Sequence, residues 1–178
     1  MFNMNRLWLW VIVVIFFIIS AAHDSYGSST VKPPESPHEI YFQNAIENSI
    51  GTVSNRMVPR YRNMWCVGDL WIVNLNADNH VSTDMIRGMI FMNSRELFGR
   101  VFSERKDVKK LSLNWYYPLP LLVGQRKDVP IIKITMSRDR AETVDFGRIP
   151  LWEVAGSAER YFEHPAFSNL MSVKNPEI

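Results

Sequence analysis

Few side chains in this sequence could carry acid–base or metal chemistry. His80, Asp84 and His164 form the one set worth considering: His80 and Asp84 stand at the start of a helical pattern, and His164 stands close to the end of the chain. Two imidazoles and a carboxylate could do acid–base work or hold a metal, but only if those two places converge in the fold. Read singly, each has a plainer role. Asp84 favours the positive end of a helix dipole, and His164 the negative end of another. Asn76, Asp78, Asn79 and Asp84 offer the oxygen atoms that Ca²⁺ takes, yet their stretch lacks the alternating acids, central Gly and twelfth-position Glu of an EF-hand loop. The sequence contains no Gly-rich phosphate loop and no Ser in a nucleophile elbow. No catalytic residue, no metal and no cofactor is therefore expected.

Cys66 is the one cysteine. Alone it forms no intramolecular disulfide and no zinc site of the thiolate type. In its apolar run it reads as a small buried hydrophobe, with an intermolecular disulfide as the other role open to it. Arg100, Arg105, Lys106, Lys109 and Lys110 gather at the end of a helical stretch. There they suit a solvated helix end, or anionic lipid headgroups if the domain lies on the right leaflet. The most apolar stretch beside a loop holds Trp115, Tyr116, Tyr117, Leu119, Leu121, Leu122 and Val123. Part of it is the core face of a strand. The remainder, carried by Tyr116, Leu119, Leu121, Leu122 and Val123, is the candidate surface for a protein partner, because exposed apolar patches mark interfaces more than catalysis.

The elements that must position these residues follow from periodicity. Ile40, Tyr41, Phe42, Ala45, Ile46 and Ile50 give residues 38–50 one apolar helical face. Residues 65–76 read as one strand, with Trp71, Val73 and Leu75 on one face and Leu70 and Ile72 on the other. A turn follows at residues 76–80. Ser82 or Thr83 then caps a long helix whose stripe runs through Ile86, Met89, Ile90, Leu97, Phe98, Val101 and Phe102. Residues 110–117 alternate cleanly: Leu111, Leu113, Trp115 and Tyr117 oppose Lys110, Ser112, Asn114 and Tyr116, as in a half-buried antiparallel strand that Pro118 and Pro120 end. Residues 130–136 form its partner. Ser137 caps a short turn. Pro150 opens a last helix through Leu151, Val154, Ala155, Ala158 and Phe162, which stops before Pro165. This order gives an α+β domain: a curved antiparallel sheet of three to four strands packed with helices, of the cystatin or NTF2-like kind.

The 178 residues suffice for one such domain and a leader, and at 47% hydrophobic they can bury a core. Arg6 is the only charged residue before Asp24, so the remainder holds 19 Lys and Arg against 18 Asp and Glu. That near-neutral balance offers no field for nucleic acid, and none is expected as a partner. Residues 7–19 are uninterrupted apolar residues behind Arg6, followed by Ser20, Ala21 and Ala22. As a helix, residues 7–22 rise about 24 Å, against ~30 Å for a comfortable span. The run is short for an anchor and suits a signal peptide cleaved between Ala22 and His23; the opposing reading is an uncleaved short membrane anchor with Trp8 and Trp10 at the interface. In both cases the rest of the chain is expected outside the cytoplasm, periplasmic, secreted or tethered. The domain boundaries expected are a leader at 1–22, a Ser/Pro/Gly linker at 23–37, one domain at 38–167 and a flexible tail at 168–178.

Residues 71–167 carry the strand Leu-Trp-Ile-Val-Asn-Leu, the helical Leu-Phe-Gly-Arg-Val-Phe, the strand Ile-Thr-Met-Ser-Arg and the ending Ala-Glu-Arg-Tyr-Phe-Glu-His-Pro-Ala-Phe. This half of the chain resembles uncharacterised bacterial exported domains, lipoprotein-like and associated with mobile elements. The resemblance implies an extracytoplasmic α+β domain and no known reaction. The lipid-attachment cysteine common in such proteins is absent here. In organisation alone, the chain is also similar to periplasmic subunits of conjugation and type IV secretion machines. The expectation is a non-enzymatic extracytoplasmic domain that binds a protein partner in an envelope assembly. The rival is a small-ligand or hydrolytic site in the concave face of an NTF2-like sheet.

Overall fold

The computed structural model describes residues 36–120 and 126–169. The apolar leader, the cleavage point at Ala22 and His23, most of the linker, and Leu121, Leu122 and Val123 lie outside them. The first helix, α1 (Pro37–Ile50), begins where Ser36 Oγ accepts the Glu39 amide at 3.1 Å, with Pro37 in the first turn, and it ends at Gly51. Strand β1 (Tyr61–Val67) then turns tightly into β2 (Leu70–Asn76). Gly68, at φ +59°, is the first of only two turn residues, which suits a hairpin turn of the II′ kind. The long helix α2 (Thr83–Glu104) is capped by Ser82, whose Oγ accepts the Met85 amide at 3.2 Å. After it come β3 (Lys110–Pro120), β4 (Arg126–Ser137), the short α3 (Arg138–Ala141) and α4 (Glu153–Ser157), β5 (Arg160–Glu163) and α5 (Pro165–Asn169).

The sheet runs in sequence order, β1 to β5. All neighbours are antiparallel except β2 and β3, which run parallel from Leu70 opposite Lys110 to Asn76 opposite Tyr116. The α+β class is as expected. The expected antiparallel sheet of three to four strands is corrected to a mixed sheet of five. Two physical causes account for the difference. The turn at Gly68 and Asp69 divides what reads as one strand. The α2 crossover returns the chain in its original direction, which makes the β2–β3 pair parallel.

One face of the sheet meets the helices and forms the core. Val73, Leu111, Leu113, Trp115, Ile134 and Met136 are all buried, as are Ile86, Ile90, Leu97, Phe98 and Val101 of α2. Each such Leu, Ile or Phe is worth roughly 1.5–3 kcal/mol in transfer from water. Trp115, fully buried, satisfies its indole by donating to Ser94 Oγ of α2 at 2.9 Å. That contact pins the centre of the sheet to the centre of the helix.

Further corrections bear on the site. Pro118 does not end β3, since pairing with β4 continues through Pro118, Leu119 and Pro120. Pro118 and Pro120 share a parity, and β2 has stopped at Asn76, so the missing amides fall where no ladder needs them. Leu119 is in the core. Residues 150–164 are not one helix: α4 is brief, and β5 adds to the edge of β4 from Ile132 opposite Glu163 to Thr135 opposite Arg160. Ser168 and Asn169 belong to α5. Cys66 is exposed, its thiol donating to Gly68 O at 3.0 Å.

Candidate functional site

The start of α2 and the end of β5 do converge, but on an arginine. Arg87 pairs with Asp84 and reaches across to Glu163, Nη2 to Oε1 at 2.7 Å and Nε to Oε2 at 3.0 Å. His164 faces its own helix, its Nδ1 accepting the Ala166 amide at 3.1 Å. His80 Nε2 is buried without a hydrogen-bond partner. Among the described residues no group of His, Cys, Asp and Glu is placed to hold a metal ion. The oxygen-rich turn is occupied by cations of the chain itself. Arg60 Nη2 lies 2.9 Å from Asp78, and Arg62 Nη1 lies 2.9 Å from Asn76 Oδ1. Asn79 accepts from the Tyr117 hydroxyl through its side chain, and its amide donates to Asn55. A guanidinium thus stands where a calcium ion would need to be.

Three members of the basic run are likewise engaged. Arg100 pairs with Glu104, Arg105 with Asp107 beside the Tyr41 ring, and Lys110 with Glu159. In the proposed apolar surface, Tyr116 lies half-buried beneath the Arg62 guanidinium, 4.4 Å from ring centroid to carbon, while Leu119 offers no surface.

The face of the sheet away from the helices is the candidate site. Strand parity sets its residues. Along β1 and β2 it carries Trp65 and Val67, exposed, with Leu70 and Ile72 half-buried beside them. Along β4 and β5 it carries Lys133, Thr135, Arg160 and Phe162. Between the two halves runs a hydrogen-bonded ladder across four strands. Thr135 Oγ1 donates to Ser112 Oγ at 3.0 Å, and Ser112 donates to Asn114 Oδ1 at 3.2 Å. Asn114 Nδ2 donates to Asn74 Oδ1 at 3.0 Å, and Asn74 Nδ2 to Asn63 Oδ1 at 2.5 Å. All four bonds run in one sense, so each polarises the next. Thr135, having given its proton to Ser112, turns only lone pairs outward. The ladder satisfies polar side chains that are buried on an otherwise open face, and it fixes that face rigidly.

A shallow depression of about 500 Å³ lies over β3, β4 and β5, floored by Ser112, Lys133, Thr135, Arg160 and Phe162. A second of about 370 Å³ adjoins it over Leu70, Lys110 and Thr135. The Lys133 ammonium stands 5.5 Å from the Phe162 ring centroid, held over the floor. At the rim, Glu159 accepts from Lys110 at 2.8 Å, and that hydrogen bond holds its carboxyl below the usual range.

The sequence reading found half of this face. Leu70 and Ile72, and Ser112 and Asn114, already separate from the core side by alternation. It missed Trp65 and Val67, because residues 65–76 read as one strand put Trp65 with the core set. It missed Lys133, Arg160 and Phe162 as a group, because Phe162 has helical spacing from Val154 and Ala158. The residues around Tyr161 and Phe162 favour strands, and that preference was the available signal.

The chain was compared with protein-family models, with curated proteins and with solved structures, and no match was found in any of the three. The site's chemistry therefore stands on its geometry.

Proposed function

We propose that this chain is a non-enzymatic extracytoplasmic interaction domain, delivered or tethered by its apolar N-terminus, that binds a protein partner of an envelope assembly through the outer face of its sheet. One observation carries the reading. Trp65, Val67 and Phe162, 44%, 63% and 43% exposed, stand on one sheet face, and no helix among the described residues covers it. Large apolar side chains on a rigid face, beside a satisfied polar row, match the composition of protein interfaces. The fold fits the same reading. A long helix across one sheet face, with the other left open, is the arrangement of cystatin-like and NTF2-like domains, here with one parallel strand pair.

The rival reading places a small ligand or a hydrolytic site on the helix-covered side of the sheet. Among the described residues Trp115, Leu111 and Leu113 fill that side, which speaks against a pocket of convergent polar groups there. The interaction reading is the better supported.

Two measurements test it. Trp65→Ser with Val67→Ser should abolish co-purification of the partner from detergent-solubilised envelopes, while the thermal midpoint stays within a few degrees. Unchanged co-purification would remove the sheet face from the account. Separately, intact-mass measurement with cell fractionation reports the tether. A mass beginning at His23 means release, and full length in the membrane fraction means anchoring. Full length in the cytoplasmic fraction contradicts export.

A further inference from the structure

We infer that the outer sheet face selects an acidic polypeptide segment, and that Lys133 and Arg160 are the residues that select it. The inference rests on the interaction reading above and names the partner's chemistry.

The placement is set by pairing. Thr135 is opposite Arg160, and Lys133 is opposite Phe162. All four lie on the outer face, so the two cations are diagonal neighbours on adjacent strands, roughly 7–8 Å apart at their Cα atoms. Among the described residues neither has an ion-pair partner of the kind that occupies Arg60, Arg62, Arg87, Arg100 and Arg105 elsewhere in the fold. Around the larger depression stand two cations, Lys133 and Arg160, and one carboxylate, Glu159, already engaged by Lys110 of the adjoining depression. Asp69 also lines the adjoining depression, so the two depressions together carry three cations, Lys110, Lys133 and Arg160, against two carboxylates. The local field is positive on a chain whose overall charge is +2.

The form of the site points to a polypeptide. The sheet is its floor, and no described residue roofs it. A small anion resting there would keep most of its water and gain little from two exposed cations. An extended segment differs, because it can set carboxylates over Lys133 and Arg160 and continue across the ladder. There Thr135 presents only lone pairs, which suit a backbone amide. Beyond lie Ile72 and Trp65, which suit an apolar side chain. Nucleic acid fits worse: the cationic part covers only half the face, and the other half is apolar.

The test uses fluorescence anisotropy of a labelled hexaglutamate peptide titrated with the full chain. Binding that weakens as salt rises is expected. Lys133→Glu with Arg160→Glu should weaken it by at least about tenfold, and Lys133→Gln with Arg160→Gln by less. Both variants should keep the wild-type circular dichroism spectrum and melting midpoint, since Arg160 is exposed and Lys133 half-exposed. If a charge-reversal variant unfolds, the neutral pair supplies the comparison. Equal binding of hexalysine, no binding of hexaglutamate, or undiminished binding by both variants overturns the inference. So does inorganic phosphate displacing the peptide at concentrations too low to act as salt, which would mark a small-anion site. Failure here leaves partner co-purification through Trp65 and Val67 intact. Failure of that co-purification would instead remove the interaction reading.

Discussion

Glu163 accepts four hydrogen bonds on two oxygens: two from Arg87, one from the Tyr161 hydroxyl at 2.6 Å and one from Ser168 Oγ at 2.7 Å. Burial alone would raise its pKa, but these donors, Arg87 foremost, hold it down to about 2 from 4.5. The same environment pushes the Tyr161 hydroxyl up, by burial first and by Glu163 second. A depressed carboxylate stabilises the fold fully above its unfolded pKa, and that contribution is lost as pH falls through the folded value. The window is therefore pH 4.5 down to about 2. Glu163→Gln should cost roughly 2 kcal/mol at neutral pH and flatten the stability profile across that window, measured by urea unfolding at several pH values. Arg60 with Asp78 is the more buried pair, at 6% and 10% side-chain exposure. Asp78→Asn leaves the guanidinium without its counter-charge and should cost about 3 kcal/mol in the same assay. Asp78 is visible in the sequence as an oxygen donor, but its partner is not. Arg60 is 18 residues away, and only the β1–β2 hairpin returns it. Glu163 gives no signal at all, because its meaning depends on an arginine 76 residues earlier.

Helix α2 is the element on which the sheet is laid, and its two internal glycines behave differently. A Cβ on Gly99 would stand 3.0 Å from Phe146 Cβ, whereas a Cβ on Gly88 meets nothing within 4 Å. Gly99→Ala should lose about 1 kcal/mol by pushing Phe146 away. Gly88→Ala should gain up to about 1 kcal/mol through helix propensity, so the two variants should move the thermal midpoint in opposite directions. This helix, its Ser82 cap and α1 are legible in the sequence, because amphipathic spacing and capping are local properties. The alternation of β3 is legible for the same reason. What escapes is set by distant pairing. β5 exists because the β4 edge needs a partner, and its four residues fall inside a spacing that also fits a helix. The bulge that leaves Ile131 unpaired between Pro130 and Ile132, its carbonyl accepting the His164 amide at 2.8 Å, shows only once β3 and β4 are aligned.

At the scale of the whole molecule, the large apolar side chains buried among the described residues lie on the helix-covered side of the sheet. The other side carries a hydrogen-bonded ladder of Asn, Ser and Thr. In the proposed reading this face, with a polar row between apolar residues at one end and cations at the other, is the surface that the partner covers. The central claim is that this face, not the helical side, meets the partner. The most direct test places a photoreactive phenylalanine analogue at Trp65 on the open face or at Met92 on α2, in cells, followed by irradiation. The account predicts a discrete adduct with an envelope protein from position 65 and none from position 92. Equal adducts from both positions, or an adduct only from position 92, would contradict it.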